Sequence, residues 1–274
     1  MTEPLFRVEG LSVSLPDPNR RPLFGRRPLV SILNDVSFEI AEGTVVGVVG
    51  ESGSGKTTLG RTLVRLIEPA AGSIRFAGED ISHRDEAALR PLRRDLQVIF
   101  QDPLSSLNPR LTVGTTIARP LLFHGVAKSR REARTLAAAA LETVGLPPAF
   151  TARYPHELSG GQRQRVGIAR SIAARPRFVL ADEIVSGLDV SSQAQILRLL
   201  ERLKAELGLT VLFISHDLSV VRRLCDRVIV MRRGEILENR PTGPLFDAPE
   251  HPYTAELKAA IPLPEVGAGW LYAT

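Results

Sequence analysis

GESGSGKTT, Gly50 to Thr58, is the stretch that decides how the rest of the chain is read. It fits the pattern G-x-x-x-x-G-K-[ST] and has the flanks that pattern requires. TVVGVVG, Thr44 to Gly50, is an apolar β-branched run of the kind that forms a buried parallel strand. TTLGRTLVRLIE follows, and it places Leu59, Leu63, Leu66 and Ile67 on one helical face. Gly50, Gly53 and Gly55 permit a backbone whose N–H groups converge on one anion, with Glu51, Ser52 and Ser54 between them and Thr58 in the first helical turn. The helix N-terminus adds the positive end of its dipole. Lys56 supplies a full charge for β- and γ-phosphates, and the Thr57 hydroxyl suits Mg²⁺. A glycine-rich hairpin with a chance lysine would not explain the strand before it and the helix after it. The loop implies a nucleoside triphosphate and leaves open what its energy drives.

FVLADE, Phe178 to Glu183, supplies carboxylates at the end of a second apolar strand, which is where ligands sit in parallel sheets. Asp182 is the expected Mg²⁺ ligand and Glu183 the expected general base for an attacking water. Alone, such a pair is ordinary surface decoration; beside a phosphate loop it becomes half of a site. TVLFISHD ends a further strand on His216, placed to contact a γ-phosphate oxygen and the water. LQVIFQD ends another on Gln101, placed to reach Mg²⁺ or water. Alone, His216 reads as a capping or core histidine and Gln101 as unremarkable.

Upstream, FRVEGLSVSL, ILNDVSFEI and GSIRFAGEDI alternate in the manner of antiparallel strands, with PDPNRRPLFGRRP as an exposed loop between the first two. From Asp102 to about Ala174 the chain is largely helical, with Ala133, Leu136, Ala137, Ala140, Leu141 and Val144 at helical spacing before Gly145. Ile196, Leu199, Leu200, Leu203 and Leu207 form a stripe ended by Gly208. With FVLADE, TVLFISHD and RVIVMRRGEIL, the rhythm is that of an α/β fold whose parallel sheet is covered on both faces.

The 274 residues carry a formal net charge of +5, 43% hydrophobic residues and one cysteine, Cys225. A single cysteine excludes an internal disulfide and a cysteine-rich metal site and suits a reducing compartment. The start MTEPLFRVEGLSVSLP lacks the apolar core of a signal peptide, and no run reaches the roughly 18 apolar residues of a membrane span. Cytoplasm is therefore the expected compartment. Arginines come as separate doublets, at 20–21, 26–27, 93–94, 130–131, 222–223 and 232–233, and aromatics make up only 5%. This reads as a solvated surface, with no stacking platform for nucleic acid.

The motifs stand in one order: the phosphate loop, Gln101, LSGGQ at Leu158 to Gln162, FVLADE, SGLD at Ser186 to Asp189, and His216. In this the chain resembles the ATP-binding subunits of ABC transporters. The resemblance implies a P-loop NTPase core of mainly parallel sheet (about 1–101 and 175–240), an N-terminal antiparallel β-subdomain within it, and an inserted α-helical subdomain (about 102–174). It also implies that Ser159, Gly160, Gly161 and Gln162 form a second anion site that reaches the γ-phosphate of ATP held by another subunit. FQDPLSSLNPRLTVG, RYPHELSGGQRQRVGIAR, LDVSSQAQILRLL and a C-terminal extension (about 241–274) bearing HPYT at His251 to Thr254 resemble the oligopeptide, dipeptide and nickel permease branch, and its second ATPase more than its first. What that branch implies is ATP and Mg²⁺ as ligands and a second ATPase subunit as partner, a heterodimer in preference to a homodimer. It further implies two transmembrane permease subunits, an extracytoplasmic solute-binding protein, and a peripheral place on the cytoplasmic face of the membrane. No nucleic acid is expected. Two other readings stay open: a nucleic-acid-associated ABC ATPase, and an accessory component of a phosphonate-degrading complex.

The chain departs from the family at Ile184-Val185-Ser186-Gly187, where Pro-Thr-Ser-Ala is commonest. Loss of proline frees an N–H and some rigidity, and glycine adds freedom to the turn. Phe24 is the nearest aromatic to the place where relatives stack adenine.

Overall fold

Every residue of Val45–Val49 is buried, and this strand, β3, stands near the centre of a six-stranded sheet in the computed structural model, which describes residues 3–17, 25, 27–102 and 106–260. Phe24, most of the arginine-rich loop, the C-terminal extension after residue 260 and part of FQDPLSSLNPR lie outside the described residues. The sheet has the order β10-β9-β3-β8-β7-β6. Its members are β6 (Leu96–Ile99), β7 (Phe178–Asp182), β8 (Thr210–Ile214), β9 (Arg227–Arg232) and β10 (Glu235–Pro241). Strands β6, β7, β8, β3 and β9 run parallel, and β10 returns antiparallel beside β9.

Alternation along each parallel strand sorts its side chains onto two faces. Val46, Val48, Phe178, Leu180, Leu212, Ile214, Ile229 and Met231 join one core. That core also takes Leu59 and Leu63 from α1 (Lys56–Leu63) and the inner face of an antiparallel sheet, β2-β1-β4-β5. The latter comprises β1 (Phe6–Pro16), β2 (Leu29–Ile40), β4 (Ala71–Phe76) and β5 (Glu79–Asp80). The opposite face, with Val45, Val49, Val179, Ala181, Val211, Phe213, Val228 and Val230, packs on helices. These are α3 (Val113–Phe123), α4 (Arg130–Thr143), α5 (Gly160–Ile172), α6 (Val190–Leu207) and α7 (Leu218–Leu224). Two short helices, α8 (Thr242–Asp247) and α9 (Pro252–Ala259), close that side, and α2 (Glu86–Leu89) precedes β6.

Three expectations need correction. Leu66 is 52% exposed, because α1 ends at Leu63 and Arg65 takes a left-handed φ of 54°. The buried group there is Arg65, whose guanidinium donates to the carbonyls of Ile81, Ile67 and Arg84. Leu207 is 42% exposed at the end of α6, and Leu197 takes a place in the core instead. The doublets at 93–94 and 222–223 are not simply solvated. Arg93 pairs with Glu86 and donates to Val64 and Arg65, Arg94 donates to Ala174, and Arg223 pairs with Glu201.

Candidate active site

The phosphate loop leaves β3 at Gly50, whose φ of 147° is one that L side chains rarely adopt, and a Cβ there would collide with the carbonyl of Met231. The loop is tied from within, by Ser54 N–H to the Glu51 carbonyl at 3.2 Å, and from outside, by Gly234 N–H to the Ser54 carbonyl at 3.1 Å. Lys56 is buried, and its ammonium donates to the carbonyls of Gly50 and Glu51, both at 2.7 Å. Burial pulls its pKa below that of an ordinary lysine, against the opposing fields of Glu183, Asp182 and Glu51.

Strand β7 brings Asp182 against the first turn of α1, where the Thr57 hydroxyl donates to Asp182 Oδ1 at 3.0 Å. Arg61, one helical turn after Thr57 on the same face, stands 3.7 Å from the other carboxylate oxygen. That residue escaped the sequence reading, although its i,i+4 spacing from Thr57 was the signal. Asp182 is only 3% exposed. Burial raises its pKa above that of an ordinary aspartate, with the Thr57 hydrogen bond and Arg61 opposing. A folded-state pKa above the unfolded value of about 3.9 means that this group favours folding most below that pH. The contribution is lost as pH rises through the raised value. Asp182→Asn, whose amide oxygen can still accept from Thr57, is expected to raise the melting temperature of the nucleotide-free protein by about 2 °C, roughly 1 kcal/mol. Phosphate release should be lost in the same variant. A lower melting temperature would contradict the burial argument.

Glu183 has a left-handed φ of 49°, a conformation that costs a non-glycine residue about 1–3 kcal/mol. It is fastened there by its N–H on the Ile214 carbonyl and by its own carbonyl, which accepts from Ser186 N–H, both at 3.0 Å. Its carboxylate accepts from the Gln101 amide at 2.8 Å and lies 3.9 Å from His216 Nδ1. Residues read from three different strand ends thus meet on one carboxylate. A cleft of about 140 Å³ opens there, lined by Glu183, Ser186, Gly187, Ser215, His216 and Asp217 among others.

The unusual turn after Glu183 is better held than its residues suggest. Ile184 and Val185 are buried in the main core, and Gly187 uses its freedom, at a φ of 74°. Asp189 then caps α6, accepting from the backbone and hydroxyl of Ser192 at 2.8 Å each, and these bonds lower its pKa.

LSGGQ opens α5 as a capping box. Gln162 N–H donates to Ser159 Oγ at 3.3 Å, and Ser159 N–H donates to Gln162 Oε1 at 3.0 Å. A hydroxyl that accepts one bond keeps its own hydrogen to donate. Gly160 and Gly161 form the first turn, and a Cβ on Gly161 would lie 3.1 Å from Ser192 Oγ. Among the described residues, no hydrogen bond of Ser159–Gln162 goes to the phosphate loop of the same chain.

A model of the ABC transporter family matches residues 33–186. A Brucella ovis protein, whose name assigns it to peptide import as an ATP-binding protein, is 50% identical over 269 residues, 98% of this chain and 82% of that one. A glutathione import ATP-binding protein of Pectobacterium atrosepticum is 49% identical over 262 residues, 95% of this chain and 42% of that one. Among solved structures, the ATP-binding cassette MJ0796, a dimer in a post-hydrolysis state bound to ADP and Pi, is similar with a TM-score of 0.76 at 30% identity, covering 86% of this chain and 98% of that one. The cbiO1 protein of Clostridium perfringens, part of an ABC transporter complex, gives a TM-score of 0.76 at 26% identity, covering 90% of this chain and 92% of that one. The family match and these likenesses show that the chain belongs to the ABC transporter family as an ATP-hydrolysing cassette.

Proposed function

We propose that this cassette energises the import of peptides or related small solutes, and that it does so by sharing ATP with a second ATPase subunit. The convergence of Gln101 and His216 on the Glu183 carboxylate, beside the Thr57–Asp182 pair, is the observation that carries the hydrolytic part. Lys56 and the loop N–H groups hold the β- and γ-phosphates. Glu183 takes a proton from the attacking water, while Gln101 and His216 fix the orientation of that carboxylate. Thr57 and Asp182 offer two hard oxygen donors 3.0 Å apart, and among the described residues no cluster of three or more His, Cys, Asp or Glu competes for a metal. That donor set fits Mg²⁺, which keeps waters and substrate phosphates as its remaining ligands. Bound there, the ion supplies positive charge against the phosphate oxygens.

Ser159, Gly160, Gly161 and Gln162, at an exposed helix start, serve the γ-phosphate of the second subunit's ATP. ATP then favours the closed pair because that pair alone binds it fully, and hydrolysis removes the bridging charge. The likeness to a peptide import protein over nearly the whole chain supports the cargo class, and the dimeric cassette structure supports the pairing. Among the described residues no helix is long and apolar enough to cross a membrane. The transport path is therefore assigned to two permease subunits that hold this chain at the cytoplasmic face, with a solute-binding protein delivering cargo from outside. Exposed Phe123, at the end of α3 beneath the Arg90 guanidinium at 4.8 Å, borders a groove of about 400 Å³ suited to such a membrane subunit. A heterodimer is favoured over a homodimer.

Purification of the tagged chain from solubilised membranes, followed by identification of its companions, tests this reading. Permease subunits, a distinct second cassette and a binding protein loaded with peptide are expected. Recovery with nucleic acid, or with soluble enzymes alone, would overturn it.

A further inference from the structure

The residues His251 to Thr254 take no part in the chemistry above, yet each is built into the fold. His251 caps α9, its Nδ1 accepting from Tyr253 N–H at 3.0 Å, and its own N–H donates to Glu238 Oε1 on β10 at 2.6 Å. Glu238 and Thr254 are buried, and Pro252 occupies the first helical position, where its missing N–H costs nothing. This anchoring delivers Tyr253, 2% exposed, to the phosphate loop. Its hydroxyl accepts from the N–H of Glu51 at 2.9 Å. Its ring lies under the Arg232 guanidinium at 4.5 Å, and Arg232 Nε stands 3.9 Å from the Glu51 carboxylate.

The N–H of Glu51 belongs to the same planar peptide unit as the carbonyl of Gly50. Lys56 holds that carbonyl at 2.7 Å, and Tyr253 holds the N–H. One rigid plate is thus gripped at both ends, by the phosphate-binding lysine on one side and the C-terminal helix on the other. The grip matters because Gly50, with no Cβ, would otherwise let that plate rotate, and the Lys56 ammonium would turn with it.

We propose that Tyr253 is a positioning residue for the phosphate loop: its hydroxyl locks the Gly50–Glu51 peptide and with it Lys56, so that the C-terminal helix sets how tightly this chain holds ATP. This rests on the assignment of Lys56 to the phosphates. Tyr253→Phe in the full chain removes the hydroxyl and keeps the ring under Arg232. The expected result is a rise of about fivefold in the Kd for ATP, measured by calorimetry, and in the KM for ATP, the loss of one hydrogen bond. The kcat should stay within about twofold and the melting temperature within about 2 °C of the wild type. A packing role alone predicts that Tyr253→Phe leaves Kd and KM unmoved; that outcome overturns the proposal while the wild type still binds ATP, as does a fall in kcat at unchanged KM. If the wild type binds no ATP, the active-site assignment falls first and this one with it.

Discussion

Glu183→Gln is expected to lower phosphate release by about 10²–10⁴-fold while leaving ATP binding intact. The substitution keeps the shape of the side chain and a polar contact with Gln101, which now donates to the carboxylate at 2.8 Å, but removes the base. Its second effect should be visible without kinetics. With hydrolysis blocked, the charge that bridges two subunits persists, so ATP and Mg²⁺ should move the variant, mixed with its second cassette subunit, to dimer mass on size-exclusion chromatography. In that dimer the Ser159 turn should face the neighbouring subunit's γ-phosphate. Unchanged turnover would remove Glu183 from the chemistry. A trapped form in which Ser159 faces bulk solvent would remove the shared-nucleotide arrangement.

Lys56→Ala should weaken ATP binding by roughly 100-fold or more, because hydrogen bonds to charged groups contribute about 1.5–3 kcal/mol each and the proposed role has the ammonium serve two phosphates. Water cannot readily substitute for a group this buried. The same change frees the carbonyls of Gly50 and Glu51, so the loop itself should loosen. Calorimetry at low salt reads the binding loss directly, and binding within tenfold of the wild type would show that loop N–H groups and the helix dipole suffice without the lysine. The two substitutions separate the steps: one weakens binding, the other slows only the reaction that follows.

Much of this arrangement was legible because its parts are local. The continuous buried run of β3, the glycines after it and the helical stripe on α1 lie within twenty positions. Asp182 and Glu183 were readable for the same reason, at the end of a strand whose every residue is buried. What escaped depends on partners far off in the chain. The bond between Tyr253 and Glu51 spans 202 positions and leaves no periodic trace. The arginine doublets look alike in sequence, and only the fold places Arg93 over two carbonyl groups. The stripe that takes in Leu66 runs past the end of α1 at Leu63, since periodicity does not report that Arg65 has turned left-handed, whereas Leu207 lies within α6 and is exposed at its last position. At Ile184–Gly187 substitution away from proline read as loosening, whereas burial of Ile184 and Val185 supplies the restraint by other means.

Strand β3 finds its neighbours late. It pairs with Val211–Ile214 on one side and Arg227–Val230 on the other, so it emerges from the ribosome with neither in existence. At about 5–20 residues per second, roughly ten seconds or more separate the synthesis of this apolar ribbon from that of its first partner. During that interval no triphosphate cradle can exist, and a sticky, unpaired edge is exposed to other nascent chains. Slower translation between the two segments should lengthen that exposure and raise the fraction of chain that aggregates.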